Sequence, residues 1–152
     1  MHVNETDLRL LRQFQRAPDL PVADLAQRAG LTPATCARRL AGLERRGIVK
    51  GQHARINWAA LGYEVQVSLR VTLEKSDPRA FDDFLAAARQ VPEVLELQTF
   101  LGRVDVRLHL IARDMGHYQH LYRTRILTLP HIAEIEALVQ LAEILPDRGL
   151  PL

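Results

Sequence analysis

Few residues of this sequence have the type and spacing to do chemistry, and the densest group of them is cationic. In TPATCARRLAGLERRG, residues 32–47, four arginines (Arg38, Arg39, Arg45 and Arg46) stand against one acid, Glu44. Guanidinium groups stay charged at every physiological pH and fork onto phosphate or a guanine edge, so such a cluster suits a polyanion. Three histidines, His109, His117 and His120, are the other candidates. His117 and His120 stand one helical turn apart, a spacing that holds a metal only with a third ligand. None occurs at a convincing interval, and two surface histidines are the simpler reading. The sequence offers no nucleophile beside a base, no carboxylate pair with a clear role and no phosphate-cradling glycine loop. Neither a metal nor a cofactor is expected, nor is an enzyme. The single cysteine, Cys36, rules out an intrachain disulfide and falls on an apolar stripe, where it reads as a small buried thiol.

The arginines need a helix to array them, and the sequence supplies its start and stop. Thr32 is a good N-cap, Pro33 fits the first helical position, and Gly47 is able to close the helix in the left-handed conformation. Cys36, Leu40 and Leu43 recur at helical spacing as the inward stripe. Upstream, residues 22–29 form a shorter helical pattern ended by Gly30. Two helices joined by a tight glycine-containing turn, the second basic and small at its tip, make a helix-turn-helix signature. Pro33, Ala34 and Thr35 leave that tip slim enough for a groove about 12 Å wide. A first helix is expected from Asn4, with Asp7 in the capping-box position, Val3 stapling Leu8, and Leu8, Leu11 and Phe14 buried. Residues 48–56 alternate around Gly51 and read as a two-stranded wing carrying Lys50 and Arg55 to phosphates. In this reading Thr32, Pro33, Ala34, Thr35, Arg38 and Arg39 face the bases, while Arg45, Arg46, Lys50 and Arg55 position the backbone.

Charge is divided along the chain. The net charge of the 152 residues is +2, yet the first sixty hold ten basic and five acidic residues, leaving the remainder net acidic. A basic front joined to a mildly acidic rear suggests a polyanion binder attached to a part with another task. A composition 47% hydrophobic and 25% charged is that of a globular protein. No apolar run reaches the length of a membrane span, and the opening MHVNETD lacks the hydrophobic core of a signal peptide; a cytoplasmic location without membrane contact is expected.

The rear reads as α+β. Residues 57–63, with Trp58 and Leu61 packing between the parts, are the expected hinge, separating domains at 1–56 and 64–152. Val65, Val67, Leu69, Val71 and Leu73 alternate with polar residues as a strand with one wet face. Asp77 and Pro78 should open a helix burying Phe81, Phe84, Leu85 and Ala88. Strands are expected at 94–101 and 104–112 around a Gly102-Arg103 turn, then a helix capped by Asp114 with Tyr118, Leu121, Tyr122 and Ile126 inward, then a strand over 132–144. VPEVLEL and LPHIAEI echo one another after these two helices, which suggests a split βαβ repeat: four antiparallel strands with both helices on one face. The other face is expected to be apolar enough to require a second copy of the chain.

With these pieces in place the sequence resembles the Lrp/AsnC, or feast/famine, family of transcription regulators from about Val3 to Ile144. The motifs that carry the likeness are ETDLRLLRQFQR, LAQRAGLTPATCARRLAGLERRGIVKG, NWAALGY and LGRVDVRLHLIARD. The resemblance implies an N-terminal winged helix-turn-helix domain followed by a C-terminal ferredoxin-like βαββαβ domain that dimerises through its sheet. It further implies double-stranded DNA with imperfect inverted repeats as partner, and assembly of homodimers into tetramers or octamers. A small effector, usually an amino acid, is implied between dimers near Leu101, Gly102, Arg103, Val104 and Asp105, with Glu136 of the last strand nearby. Val104 and Glu136-Ala137 depart from common family patterns at an aromatic and a hydroxyl-bearing stretch respectively. Two other functions fit less well: a tetrapyrrole-precursor decarboxylase on the same scaffold, or a ligand sensor whose DNA-binding part is vestigial. The intact basic helix opposes both.

Overall fold

The structure is a computed structural model that describes residues 3–144 and 149–152. Its contacts divide the chain into two units. One is Met1–Arg55 together with Ile144–Leu152, and the other is Ile56–Glu143. The closing residues therefore group with the first unit, whereas the sequence reading placed them in the second.

The first unit is built on three helices, α1 (Glu5–Arg16), α2 (Val22–Ala29) and α3 (Pro33–Arg45). Asn4 and Asp7 form the reciprocal capping box expected at the start of α1, the Asp7 N–H donating to Asn4 Oδ1 at 2.9 Å and the Asn4 N–H to Asp7 Oδ2 at 3.3 Å. Leu10, fully buried, takes the central place that periodicity assigned to Leu8, which is only half-buried. With Leu11, Phe14, Leu25, Ala26, Ala29, Cys36 and Leu43 it forms a small core. Gly30 closes α2 at φ 66°, its N–H reaching back to the Gln27 carbonyl at 3.2 Å while that of Leu31 reaches Ala26 at 2.8 Å. The expected two-stranded wing is not formed: residues 50–57 belong to no strand or helix and are exposed. A lone hairpin is marginal unless one face is buried, and Ile56, its one large apolar side chain beyond Val49, lies in solvent.

The second unit is a four-stranded antiparallel sheet in the order β2-β3-β1-β4, made of β1 (Val65–Leu73), β2 (Val94–Thr99), β3 (Val106–Ala112) and β4 (Ile132–Val139). One face is covered by α4 (Ala80–Ala88) and α5 (Met115–Leu121), the latter running on through a wide π turn, Tyr122–Ile126. Val67, Leu69, Val71, Val106, Leu108, Leu110, Phe84 and Ile126 are fully buried there, each contributing roughly 1.5–3 kcal/mol of transfer free energy.

Several local boundaries differ from those read in the sequence, each for a physical reason. Asp77 accepts from the Arg79 N–H at 2.8 Å and makes a turn ahead of α4, which starts only at Ala80 and leaves Phe81 exposed. β2 and β3 stop short of the Gly102 turn because Asp105 is drawn to β1: its N–H donates to the Val71 carbonyl at 3.0 Å and its carboxylate accepts the Leu73 N–H at 2.9 Å. β4 ends at Val139, paired with Val67, rather than at Ile144, and one further bond runs from the Gln140 N–H to the Gln66 carbonyl at 2.9 Å near the start of β1. Leu61 is 64% exposed, while the Trp58 ring lies 6.4 Å from that of His109.

The open face of the sheet is mixed rather than the apolar surface expected. Register puts Gln66, Ser68, Arg70 and Thr72 of β1 beside Arg107 and His109 of β3 and Glu134 and Glu136 of β4. Arg70 pairs with Glu136 at 3.4 Å and Arg107 with Glu96 at 3.6 Å. The apolar alternates of β1 all went to the helix-covered side, whereas Ile111 of β3 and Leu138 of β4 share the open face with Gln66 and Ser68.

Candidate nucleic-acid interface and effector cleft

α3 is held at its start by its own cap, the Thr35 N–H donating to Thr32 Oγ1 at 3.3 Å and the Thr32 hydroxyl donating to that of Thr35 at 2.9 Å. At its end Gly47, at φ 68°, closes the last turn, and the Ile48 N–H bonds the Leu43 carbonyl at 3.0 Å. Cys36 and Leu43 point into the core; desolvation there pushes the Cys36 thiol above its ordinary pKa, so it stays protonated at neutral pH. The outward stripe runs Ala34, Ala37, Arg38, Ala41 and Arg45, at helical spacing. Arg38 and Arg45 are exposed, seven residues and hence about 10 Å apart along the axis. Three alanines between and before them leave the backbone close to whatever the helix approaches. Ala37 and Ala41 escaped the sequence reading, although counting in steps of three and four from Ala34 would have found them.

The ten candidate DNA contacts are not equivalent in this arrangement. Thr32, Pro33, Ala34, Arg38, Arg45, Lys50 and Arg55 are exposed; Thr35 and Arg46 are half-buried. Arg39 is turned inward. Its Nη1 lies 2.8 Å from Asp7 Oδ1 and 3.4 Å from Asn4 Oδ1, so this charge is spent joining α3 to the cap of α1.

The effector candidates are likewise split. Arg103, Val104 and Glu136 come together in a cleft of about 510 Å³ on the open face of the sheet, with Arg70, Thr72, Glu134 and Ile135 completing its lining. Thr72 donates its hydroxyl to the Arg103 carbonyl at 3.0 Å and so pins the turn. Two guanidiniums face two carboxylates: Arg70 with Glu136, and Arg103 with Glu134 at 3.8 Å. Such exposed pairs contribute little to stability. Leu101 and Gly102 do not line this cleft, and Leu101 is fully exposed. Asp105 points elsewhere, accepting from the Leu73 N–H and lying 3.5 Å from the Lys75 ammonium. Arg70, Thr72 and Glu134 were missed because only cross-strand register brings them to the turn; their signal was the polar alternate positions of two strands.

His117 Nδ1 accepts the Arg113 N–H at 3.1 Å, a local cap, and His120 is exposed. His131 lies with Asp77 and Asp83, ligand-type atoms within 4.8 Å of one another, but its ring already pairs with Asp83 at 3.4 Å and Asp77 serves its own turn. Among the described residues no helix is long and apolar enough to cross a membrane.

Comparison with known proteins bears on both surfaces. Residues 3–50 match the family model for a winged helix-turn-helix DNA-binding domain, and residues 66–150 match that for the Lrp/AsnC ligand binding domain. The leucine-responsive regulatory protein of Haemophilus influenzae is 30% identical over 138 residues, 91% of this chain and 83% of that protein. A transcriptional regulator from Neisseria meningitidis solved as an L-methionine complex superposes with a TM-score of 0.91 at 29% identity, covering 99% of this chain and 97% of that one. A feast or famine regulatory protein from M. tuberculosis, also complexed with L-methionine, gives 0.87 at 27% identity, covering 98% and 99%.

Proposed function

The chain belongs to the Lrp/AsnC family and is a DNA-binding transcriptional regulator, and on that premise we propose which of its surfaces reads DNA and which takes the effector. The reading face is Ala34, Ala37, Arg38, Ala41 and Arg45 of α3, with Lys50 and Arg55 on phosphates. The observation that carries this is the exposed pair Arg38 and Arg45 on a stripe of alanines, on a helix whose other side is buried. Side chains near the N-terminal end of such a helix meet base edges, while those farther along meet the phosphodiester backbone. The chain acts as a regulator rather than a catalyst, in the cytoplasm with its DNA. Two copies, and tetramers or octamers built from them, set paired reading helices onto imperfect inverted repeats.

The effector is an amino acid bound in the cleft between Arg70, Arg103, Glu134 and Glu136. A zwitterion matches that lining: its carboxylate replaces a glutamate on a guanidinium and its ammonium replaces an arginine on a carboxylate. The L-methionine held by two similar proteins makes methionine the first compound to try. Fluorescence anisotropy with duplex fragments, repeated with each common amino acid, tests both halves. Binding that weakens steeply with salt and shifts with one amino acid is expected. Salt-independent binding would remove the first half, and no shift with any of them the second.

A further inference from the structure

Gly149–Leu152 lies against the DNA-reading unit in a way no part of the foregoing function uses. The Gln15 side chain on α1 treats Leu150 as a strand would: its Nε2 donates to the Leu150 carbonyl at 2.7 Å and its Oε1 accepts the Leu150 N–H at 2.9 Å. One turn earlier, Arg12 Nε donates to the Leu152 carbonyl oxygen, and the Leu152 side chain packs against the helical core. Pro151, between the two anchors, fixes φ and lowers the entropy lost on docking. Gly149 makes the approach possible. It sits at φ 77°, and a Cβ there would fall 2.8 Å from Gln15 Oε1. Four residues thus carry main-chain pairing, an apolar anchor, a stiff link and a glycine fitted to one partner.

Across a cleft of about 950 Å³ these residues face the stretch that carries Lys50, His53 and Arg55, with Leu11 and Phe14 as its floor. That stretch has no ladder of its own, so its course depends on what borders it. We propose that residues 149–152 are a strap of the DNA-reading unit. The strap fixes the second half of α1 and the border of the Lys50–Arg55 stretch, and DNA affinity depends on it. A three-helix unit of this size buries too little surface to be indifferent to such a brace. The strap also follows β4, which carries Glu134 and Glu136, so the strand lining the effector cleft is covalently continuous with the brace on α1.

The test uses the full chain with residues 149–152 deleted, and separately Gln15→Leu and Gly149→Ala. Amide hydrogen exchange is followed by peptide, and duplex binding by anisotropy. Loss of the strap should speed exchange in the Arg12–Arg16 and Lys50–Arg55 peptides by about tenfold, weaken DNA binding severalfold, and leave the β1 and β3 peptides unchanged. Gln15→Leu and Gly149→Ala should do the same more weakly; as single changes they remain informative if the deletion fails to fold. Arg38→Ala serves as reference, since it should weaken DNA binding with no change in α1 exchange. Unchanged exchange in all three variants would overturn the strap, as would protection in the intact chain that vanishes on dilution, because the docked segment would then belong to a second copy.

Discussion

Arg39 Nη1 lies 2.8 Å from Asp7 Oδ1, and Asp7 is the buried charged residue of the unit, its side chain 8% exposed against 29% for Arg39. The same carboxylate caps α1 through the Asn4 N–H. One group therefore closes the start of the first helix and anchors the middle of the third, which fixes the angle at which the outward stripe of α3 is presented. Arg38, the preceding residue, is exposed and makes no such ion pair among the described residues. Two adjacent arginines have separate tasks: one sets the helix, the other is free to read.

Substitution should separate those tasks. Asp7→Ala removes a cap and leaves a largely buried guanidinium unpaired, and should cost about 2 kcal/mol of stability. Arg39→Ala should destabilise comparably and weaken DNA binding only indirectly, through loss of folded protein and of the setting of α3. Arg38→Ala should leave the urea midpoint unchanged and weaken specific binding by about 1–3 kcal/mol. An Arg39→Ala protein that is fully stable yet blind to DNA would reverse the assignment.

That Arg39 turns inward while Arg38 stays exposed is not something one-dimensional spacing holds. The stop at Gly47, the Thr32 cap and the Asn4-Asp7 box are local, involving residues within a turn, and were legible. So was the alternation of β1, because period two needs no partner. The inward turn of Arg39 depends on where α1 packs, and Asp7 is 32 residues away. Arg70 and Glu136 are 66 apart and meet only through strand register. Asp105 was read as a ligand group because its acid is visible and the Leu73 N–H that claims it is not. The absent wing has the same origin: alternation around Gly51 supplies a hairpin pattern but no face to bury.

Salt should report the phosphate contacts. If Arg45 and Lys50 each neutralise one phosphate, replacing either with alanine should reduce the slope of log affinity against log salt by about 0.9, whatever the sequence of the duplex. Arg38→Ala should instead narrow the gap between specific and random duplexes. Titrations at four salt concentrations on both kinds of DNA measure the two effects together.

The cleft on the sheet makes a second prediction, independent of DNA. Arg103→Ala removes one of two guanidiniums that receive a carboxylate, and Glu136→Ala one of two acceptors for an ammonium. Each should lower amino-acid affinity by about ten- to a hundredfold, the usual effect of losing one charge-assisted hydrogen bond of roughly 1.5–3 kcal/mol. Stability should be unchanged, because both pairs are more than half exposed on at least one partner. Asp105→Ala should behave oppositely, lowering stability through the orphaned Leu73 N–H. Calorimetric titration beside thermal melts separates the two patterns.

Cys36 offers a pH-dependent check on the packing of α3. Its thiol is fully buried, and desolvation raises its pKa above the ordinary thiol value. The folded unit therefore holds this proton at a pH where the unfolded chain releases it. The associated stability is complete below the unfolded pKa, about 8.5, and is lost as pH rises through the folded value. Urea midpoints should fall as pH rises above about 8.5 in the native protein and fall less in Cys36→Ala, which itself starts lower because it leaves a gap in the core that holds Leu10 and Leu43. Iodoacetamide should modify Cys36 only at the rate at which the unit opens, since a protonated thiol on the inner side of α3 is neither nucleophilic nor accessible. Fast alkylation at pH 7, with folding intact, would mean that this side of the helix faces solvent and that the arginine stripe does not.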